Sequence, residues 1–226
     1  MKARSLFIYV IIVLLLLLFT VLVHKPALAS DQKLAHGAGT LPHLTSAVTV
    51  SGGVEIPTPI VYALRYDIGL GNRVQLGLAT SVYWVLGLMI GVEVHSMFNV
   101  LKNSSDSDFL SLYLNPGLFI LDDFLFIDNM TLFLVRPGVA YEHRFGDKRR
   151  VGLYVKVGAL MLLGGTINGE FFDLELTPET VIIDCRAGLQ ALLGKRFSIA
   201  LEPMVYLGPS IDQPFLGGKG ALTWAF

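Results

Sequence analysis

Cysteine is nearly absent from this chain. Cys185 is the only one among 226 residues, which excludes an internal disulfide, a cysteine metal site and a paired-cysteine redox motif. Charge is scarce too. Asp, Glu, Lys and Arg make up 15% of the residues, against about 25% in a soluble domain. There is no basic run, so nucleic acid is not an expected partner. No Gly-rich phosphate loop, metal-ligand cluster or nucleophile elbow occurs, and no cofactor or metal is expected. Beyond Val23, no apolar run approaches the roughly 18 residues of a membrane helix.

What is present is apolar and organised. Hydrophobic residues make up 53% of the chain. Met1-Lys2-Ala3-Arg4-Ser5 is a short positive region, and Leu6 to Val23 is unbroken apolar sequence. Pro26-Ala27-Leu28-Ala29 then supplies a helix stop and a small-residue cleavage site. This pattern predicts a secretory signal peptide over 1–29, cut after about Ala29. An uncleaved anchor helix is the alternative, since the run is long enough to span. Removal of 1–29 takes Lys2, Arg4 and Lys25 from 17 basic residues and none of the 18 acidic ones, leaving a net charge of −4. Residues 30–43 contain Gly, His and Pro and read as a flexible lead-in.

From residue 44 to 226 the chain breaks into alternating segments separated by turn residues. They run at roughly 45–54, 60–69, 73–83, 88–98, 108–120, 130–145, 150–162, 181–192, 196–207 and 216–226. In Arg196–Leu207, Phe197, Ile199, Leu201, Pro203, Val205 and Leu207 share one face. Ser198, Ala200, Glu202, Met204 and Tyr206 share the other. Period two over this length means strands. The apolar faces carry almost no charge, as a lipid-facing surface requires. The other faces are Gly, Ala and Ser interrupted by single charges, which suits a narrow barrel interior.

Those single charges nearly balance. Arg65, Arg136, Arg144, Lys156, Arg186 and Lys219 oppose Asp67, Glu93, Glu142, Asp184 and Glu202. An enclosed, mutually paired interior needs such a balance. The expected fold is all-β: a closed antiparallel up-and-down transmembrane β-barrel of about ten strands. Eight or twelve also fit. Short turns at Gly69–Asn72, Phe145–Lys148 and Leu193–Lys195 alternate with longer connections such as Gly164–Glu179, as in outer-membrane barrels. The connection near Trp84 is short for this scheme. Outward aromatics are expected at one rim: Tyr66, Phe98, Tyr141, Phe145, Phe197, Trp224 and Phe226. Pro116, Pro137 and Pro203 fall inside strands, where bulges would accommodate them.

The ending Lys219-Gly220-Ala221-Leu222-Thr223-Trp224-Ala225-Phe226 resembles the C-terminal assembly signal of small Gram-negative outer-membrane β-barrel proteins. Leu222, Trp224 and Phe226 match its apolar phase. Ala221 departs from the Gly common there. The resemblance implies export to the outer membrane, partnership with its lipid, and recognition by the barrel-assembly machinery during biogenesis.

Three functional readings follow. The first is a non-enzymatic outer-membrane barrel. It is structural, ligand-binding, or a narrow passage for small solutes, with a charged and largely filled lumen. The second is a lipid-modifying enzyme using a lumenal pair, His95 and Glu93, two residues apart on one strand face. Of the other histidines past the signal, His36 and His43 lie in the lead-in and His143 points outward. The third is a soluble periplasmic barrel. The acidic loop Glu170–Glu179, with Asp173 and Glu175, reads as a solvated loop before it reads as a cation site.

Overall fold

The computed structural model describes residues 37–55, 60–84, 88–102, 107–124, 127–146, 150–169, 172–176, 181–194, 196–208 and 214–226. Residues 1–29, expected as a signal peptide, and His36 fall outside them. The described residues form eleven strands and no helix. They are β1 (Ser46–Glu55), β2 (Ile60–Leu70), β3 (Val74–Trp84), β4 (Leu88–Lys102), β5 (Asp108–Phe124) and β6 (Ile127–Phe145). Then follow β7 (Val151–Gly169), β8 (Phe172–Leu176), β9 (Val181–Leu193), β10 (Phe197–Leu207) and β11 (Phe215–Ala225).

Each strand pairs antiparallel with its neighbour in the chain from β1 to β7. The circuit continues through β9, β10 and β11, and β11 pairs with β1. The result is a closed ten-strand barrel, a circuit in which each of the ten strands has a partner on both sides among the described residues. The eleventh strand, β8, lies outside this circuit. It folds back on Gly165–Gly169 at the far end of β7. It falls within the connection expected as a loop over 164–179.

Alternation decides the two faces. Along β10, Ser198, Ala200, Glu202, Met204 and Tyr206 are buried, while Phe197, Ile199, Leu201 and Leu207 are exposed. Along β7, Val151, Leu153, Val155 and Val157 are exposed, and Gly152, Tyr154 and Gly158 are buried. Tight turns at the end carrying Ser46 and Phe226 place Gly71, Gly146 and Gly194 at φ of 79°, 79° and 86°, a region that glycine enters without steric cost. We refer to this as the terminal end.

The prolines behave differently from expectation. None sits at a register shift. The β5–β6 ladder runs unbroken through Pro116 and Pro137. Each proline instead silences one ladder for two positions without changing its register. The β4–β5 pairing skips from Glu93–Gly117 to Ser96–Leu114, and Asn115 Oδ1 takes the Ser96 N–H at 3.4 Å inside that gap. The β9–β10 pairing likewise skips from Leu201–Leu189 to Met204–Arg186 beside Pro203. The register shifts lie elsewhere, between Asn99 and Leu101, between Ile127 and Asn129 and between Phe133 and Leu134.

The aromatics also depart from the single rim expected. Phe98, Tyr141, Phe145, Phe197 and Trp224 are outward and exposed at the terminal end. Phe226 is only 4% exposed: it pairs through its backbone with Ser46 and packs its ring 4.9 Å from that of Trp224. Outward aromatics occur at the opposite end as well, with Tyr62 at 58% and Trp84 at 68% exposure. The barrel therefore has aromatics at both rims.

Candidate lumenal site

The eleven charges expected to face the lumen occupy inward positions and divide into three levels. At the terminal end, Glu142 and Arg144 project from β6. Arg144 Nε donates to Glu142 Oε1 at 2.6 Å, and Gln190 Nε2 donates to the same oxygen at 2.7 Å. The backbone N–H groups of Ala38 and Gly39 donate to Oε2 at 2.8 and 2.7 Å. Two oxygens thus accept four hydrogen bonds, the usual capacity of a carboxylate. The Arg144 guanidinium also lies 4.2 Å over the Phe109 ring.

Residues 37–43, expected as part of a flexible lead-in, are packed into the terminal mouth. Ser111 Oγ donates to Ala38 O, and Leu41 N donates to Gln75 Oε1 at 3.0 Å. Gly71 N donates to His43 Nδ1 at 2.9 Å. Ala38 packs with Met97, Phe109, Tyr113 and Ala140, and Leu41 packs with Ala47 and Ala225. A side chain at Gly39 would collide with the Arg144 guanidinium, so glycine is the residue that fits this approach. Leu44, at φ 55°, turns the chain out of the mouth into β1.

The second level joins β2 and β4. Arg65 Nε donates to Asp67 Oδ2 at 2.6 Å, and His95 Nδ1 lies 3.0 Å from Asp67 Oδ1. Asp67 registers with Gly77 on β3, and Gly77 registers with His95. Because Gly77 has no side chain, the carboxylate and imidazole meet across it. The expected His95–Glu93 pair is not formed. Glu93 instead faces Arg136, at 3.9 Å.

The third level is a chain of ion pairs across five strands. Arg136 Nε lies 3.3 Å from Asp184. Asp184 binds the Arg186 guanidinium, with Nε to Oδ1 at 2.8 Å. Arg186 reaches Glu202 at 3.3 Å, and Lys156 Nζ donates to Glu202 at 3.2 Å. Lys156 also sits 4.7 Å over the Tyr154 ring. Glu93, Arg136, Asp184, Arg186, Glu202 and Lys156 thus stitch β4, β6, β9, β10 and β7 together. Lys219 stands in register opposite Glu202 on β11.

Between the levels lies a cavity of about 120 Å³. Arg65, Arg136, Lys156, Arg186 and Lys219 line it, and Gly37 bounds it on the side of the terminal mouth. Among the described residues, no group of three or more His, Cys, Asp or Glu is arranged to hold a metal ion. Asp173 and Glu175 of the acidic loop lie on β8, whereas Glu170 and Glu179 fall outside the described residues.

A separate cluster lies on the outer surface at the terminal rim. Tyr141 OH and His143 Nδ1 both meet Asp108 Oδ1 at 2.7 Å, and Ser107 Oγ donates to Asp108 Oδ2 at 2.7 Å. His143 does point outward, as its phase predicts.

The fold defines the class: a closed antiparallel β-barrel of ten strands with charged side chains on its inner face. No family model matches the chain, and no curated protein matches its sequence. Among solved structures, the chain is similar to the N-terminal barrel domain of OprF from Pseudomonas aeruginosa, at 9% identity and a TM-score of 0.42. That match covers 81% of this chain and 98% of the other. It is similar to the translocator domain of the autotransporter NalP from Neisseria meningitidis, at 8% identity and a TM-score of 0.48, covering 80% and 86%. A third similarity is to an outer-membrane channel from Pseudomonas putida F1, at 11% identity and a TM-score of 0.41, covering 86% and 100%.

Proposed function

We propose that the chain is an integral outer-membrane β-barrel of a Gram-negative bacterium, with a lumen closed by its own side chains and by residues 37–43. One observation carries the reading: apolar and charged residues are inverted relative to a soluble protein. Among the described residues, outward Asp, Glu, Lys or Arg positions occur only at strand ends, as at Asp108. Val50, Tyr62, Val94, Leu112, Phe133, Val155, Leu201 and Leu222 are all exposed, far beyond the patches that monomeric soluble proteins leave in water. A closed barrel is one of two architectures that satisfy every backbone group in lipid.

The filled lumen favours a structural or ligand-binding role over an open channel. About eight strands give an interior that side chains fill, and open aqueous pores need about sixteen. Membrane fractionation and gel migration of unheated against heated samples test the membrane assignment. The expected result is extraction only with detergent and a heat-dependent shift in migration. Recovery in the soluble fraction would overturn it. Planar-bilayer recording tests the closure: the intact barrel should be silent, and steady open-channel conductance would refute a closed lumen.

A further inference from the structure

We infer that the lumenal cavity is a binding site for a small oxyanion, of the size and charge of sulfate, phosphate or a short dicarboxylate. The inference rests on the membrane-barrel reading and deepens it. Its basis is the radial placement of the charges. Five cations line the cavity: Arg65, Arg136, Lys156, Arg186 and Lys219. Among the described residues, two carboxylates, Glu93 and Glu202, line it with them. The other two acids at these levels, Asp67 and Asp184, are 0% exposed and stand behind the guanidinium groups they bind. The cations therefore face the space and half of the acids do not.

The donors suit an oxyanion. Guanidinium groups present several N–H donors in a plane that matches oxygen pairs on one acceptor group. Ser51 and Ser81 add hydroxyls to the same lining. Arg136 Nε is buried, and its approach to Asp184 is out of line for a hydrogen bond; no other acceptor meets it among the described residues. A cation would find no such welcome. Glu93 and Glu202 already face Arg136, Arg186 and Lys156. Small size follows from the volume: about 120 Å³ holds a few water-sized groups and no polymer. Because residues 37–43 fill the terminal mouth, the ligand enters from the opposite end.

Calorimetric titration of the detergent-folded, full-length barrel with sodium sulfate tests the site. Saturable one-to-one binding is expected, and magnesium chloride should give no saturable heat. Lys219→Gln should weaken sulfate binding about tenfold, the loss of one charge-assisted hydrogen bond. Ser51→Glu, which adds a carboxylate to the wall without removing a cation, should weaken it by at least as much. It decides the matter should Lys219→Gln not fold. A heat-modifiable wild-type barrel that binds no sulfate overturns the inference, as does sulfate binding that is indifferent to the folded variants. Fractionation is a separate readout: a barrel soluble without detergent sinks the membrane assignment, while the titration alone decides the site.

Discussion

The carboxylate of Glu142 takes the backbone N–H of Gly39 at 2.7 Å, across 103 positions of sequence. That contact ties the segment before β1 to the far side of the barrel. Glu142→Ala removes the acceptor for Gly39, Ala38, Arg144 and Gln190 together. Removing one partner of a buried ion pair costs about 3–5 kcal/mol. The expected loss, read as a lower urea midpoint, is about 3 kcal/mol. The segment should also loosen, so the variant should show conductance steps where the wild type is expected to be silent. A silent variant of wild-type stability would remove Glu142 as the anchor.

The outer belt makes a second prediction with a built-in control. Val157 is exposed in the middle of an uncharged outward row on β7, whereas His143 lies at the terminal rim beside Asp108. Val157→Arg should cost about 2–4 kcal/mol of folding in lipid vesicles, and His143→Arg about 0–1 kcal/mol. The heat-modifiable fraction after insertion measures both. Equal costs at the two depths would contradict a belt that sits in hydrocarbon.

Strands, their phase and the inward position of the eleven charges were legible because period two is a property of neighbours in sequence. Phe197, Ile199 and Leu201 announce their face without reference to any other strand. The partners of the charges were not legible. Phase says that Glu93 and His95 share a face, but it does not say that Gly77 opens a path from His95 to Asp67. The packed mouth was hidden for a related reason. Gly37–Pro42 has no period, and its N–H groups end on Glu142 and Gln75, acceptors that lie 34 to 104 positions away. A faint signal existed. Gln75, Glu142 and Gln190 are polar inward positions that demand partners, and a run of small residues precedes the first strand. The strand β8 was missed because it pairs only within its own hairpin, on Gly165–Gly169 of β7, past the last β7–β9 pair at Met161 and Val181.

Pro203 offers a test of the ladder gaps. Proline has no N–H to give, and the β9–β10 pairing is silent at Glu202 and Pro203. Pro203→Val keeps an apolar outward residue and restores the donor. If the missing N–H causes the gap, the variant should gain about 1 kcal/mol in urea unfolding, the net worth of one hydrogen bond. A less stable variant would show that the proline itself shapes the strand there.

The chain of lumenal ion pairs can be read quantitatively at Lys156 and Glu202. Their contact is 3.2 Å, and both side chains are largely removed from solvent. Lys156→Met leaves Glu202 with Arg186 at 3.3 Å, so a single loss should be tolerable. Glu202→Gln leaves two cations facing each other and should be the costlier change. Contacting residues in one ion-pair network couple by about 0.5–3 kcal/mol, and burial places this pair in the upper half of that range. A double-mutant cycle on urea midpoints measures it. Additive losses would mean that the two groups act independently and that the barrel is held by its ladders alone. A coupling above about 1 kcal/mol would place cross-strand ion pairing among the forces that fix the lumen's shape.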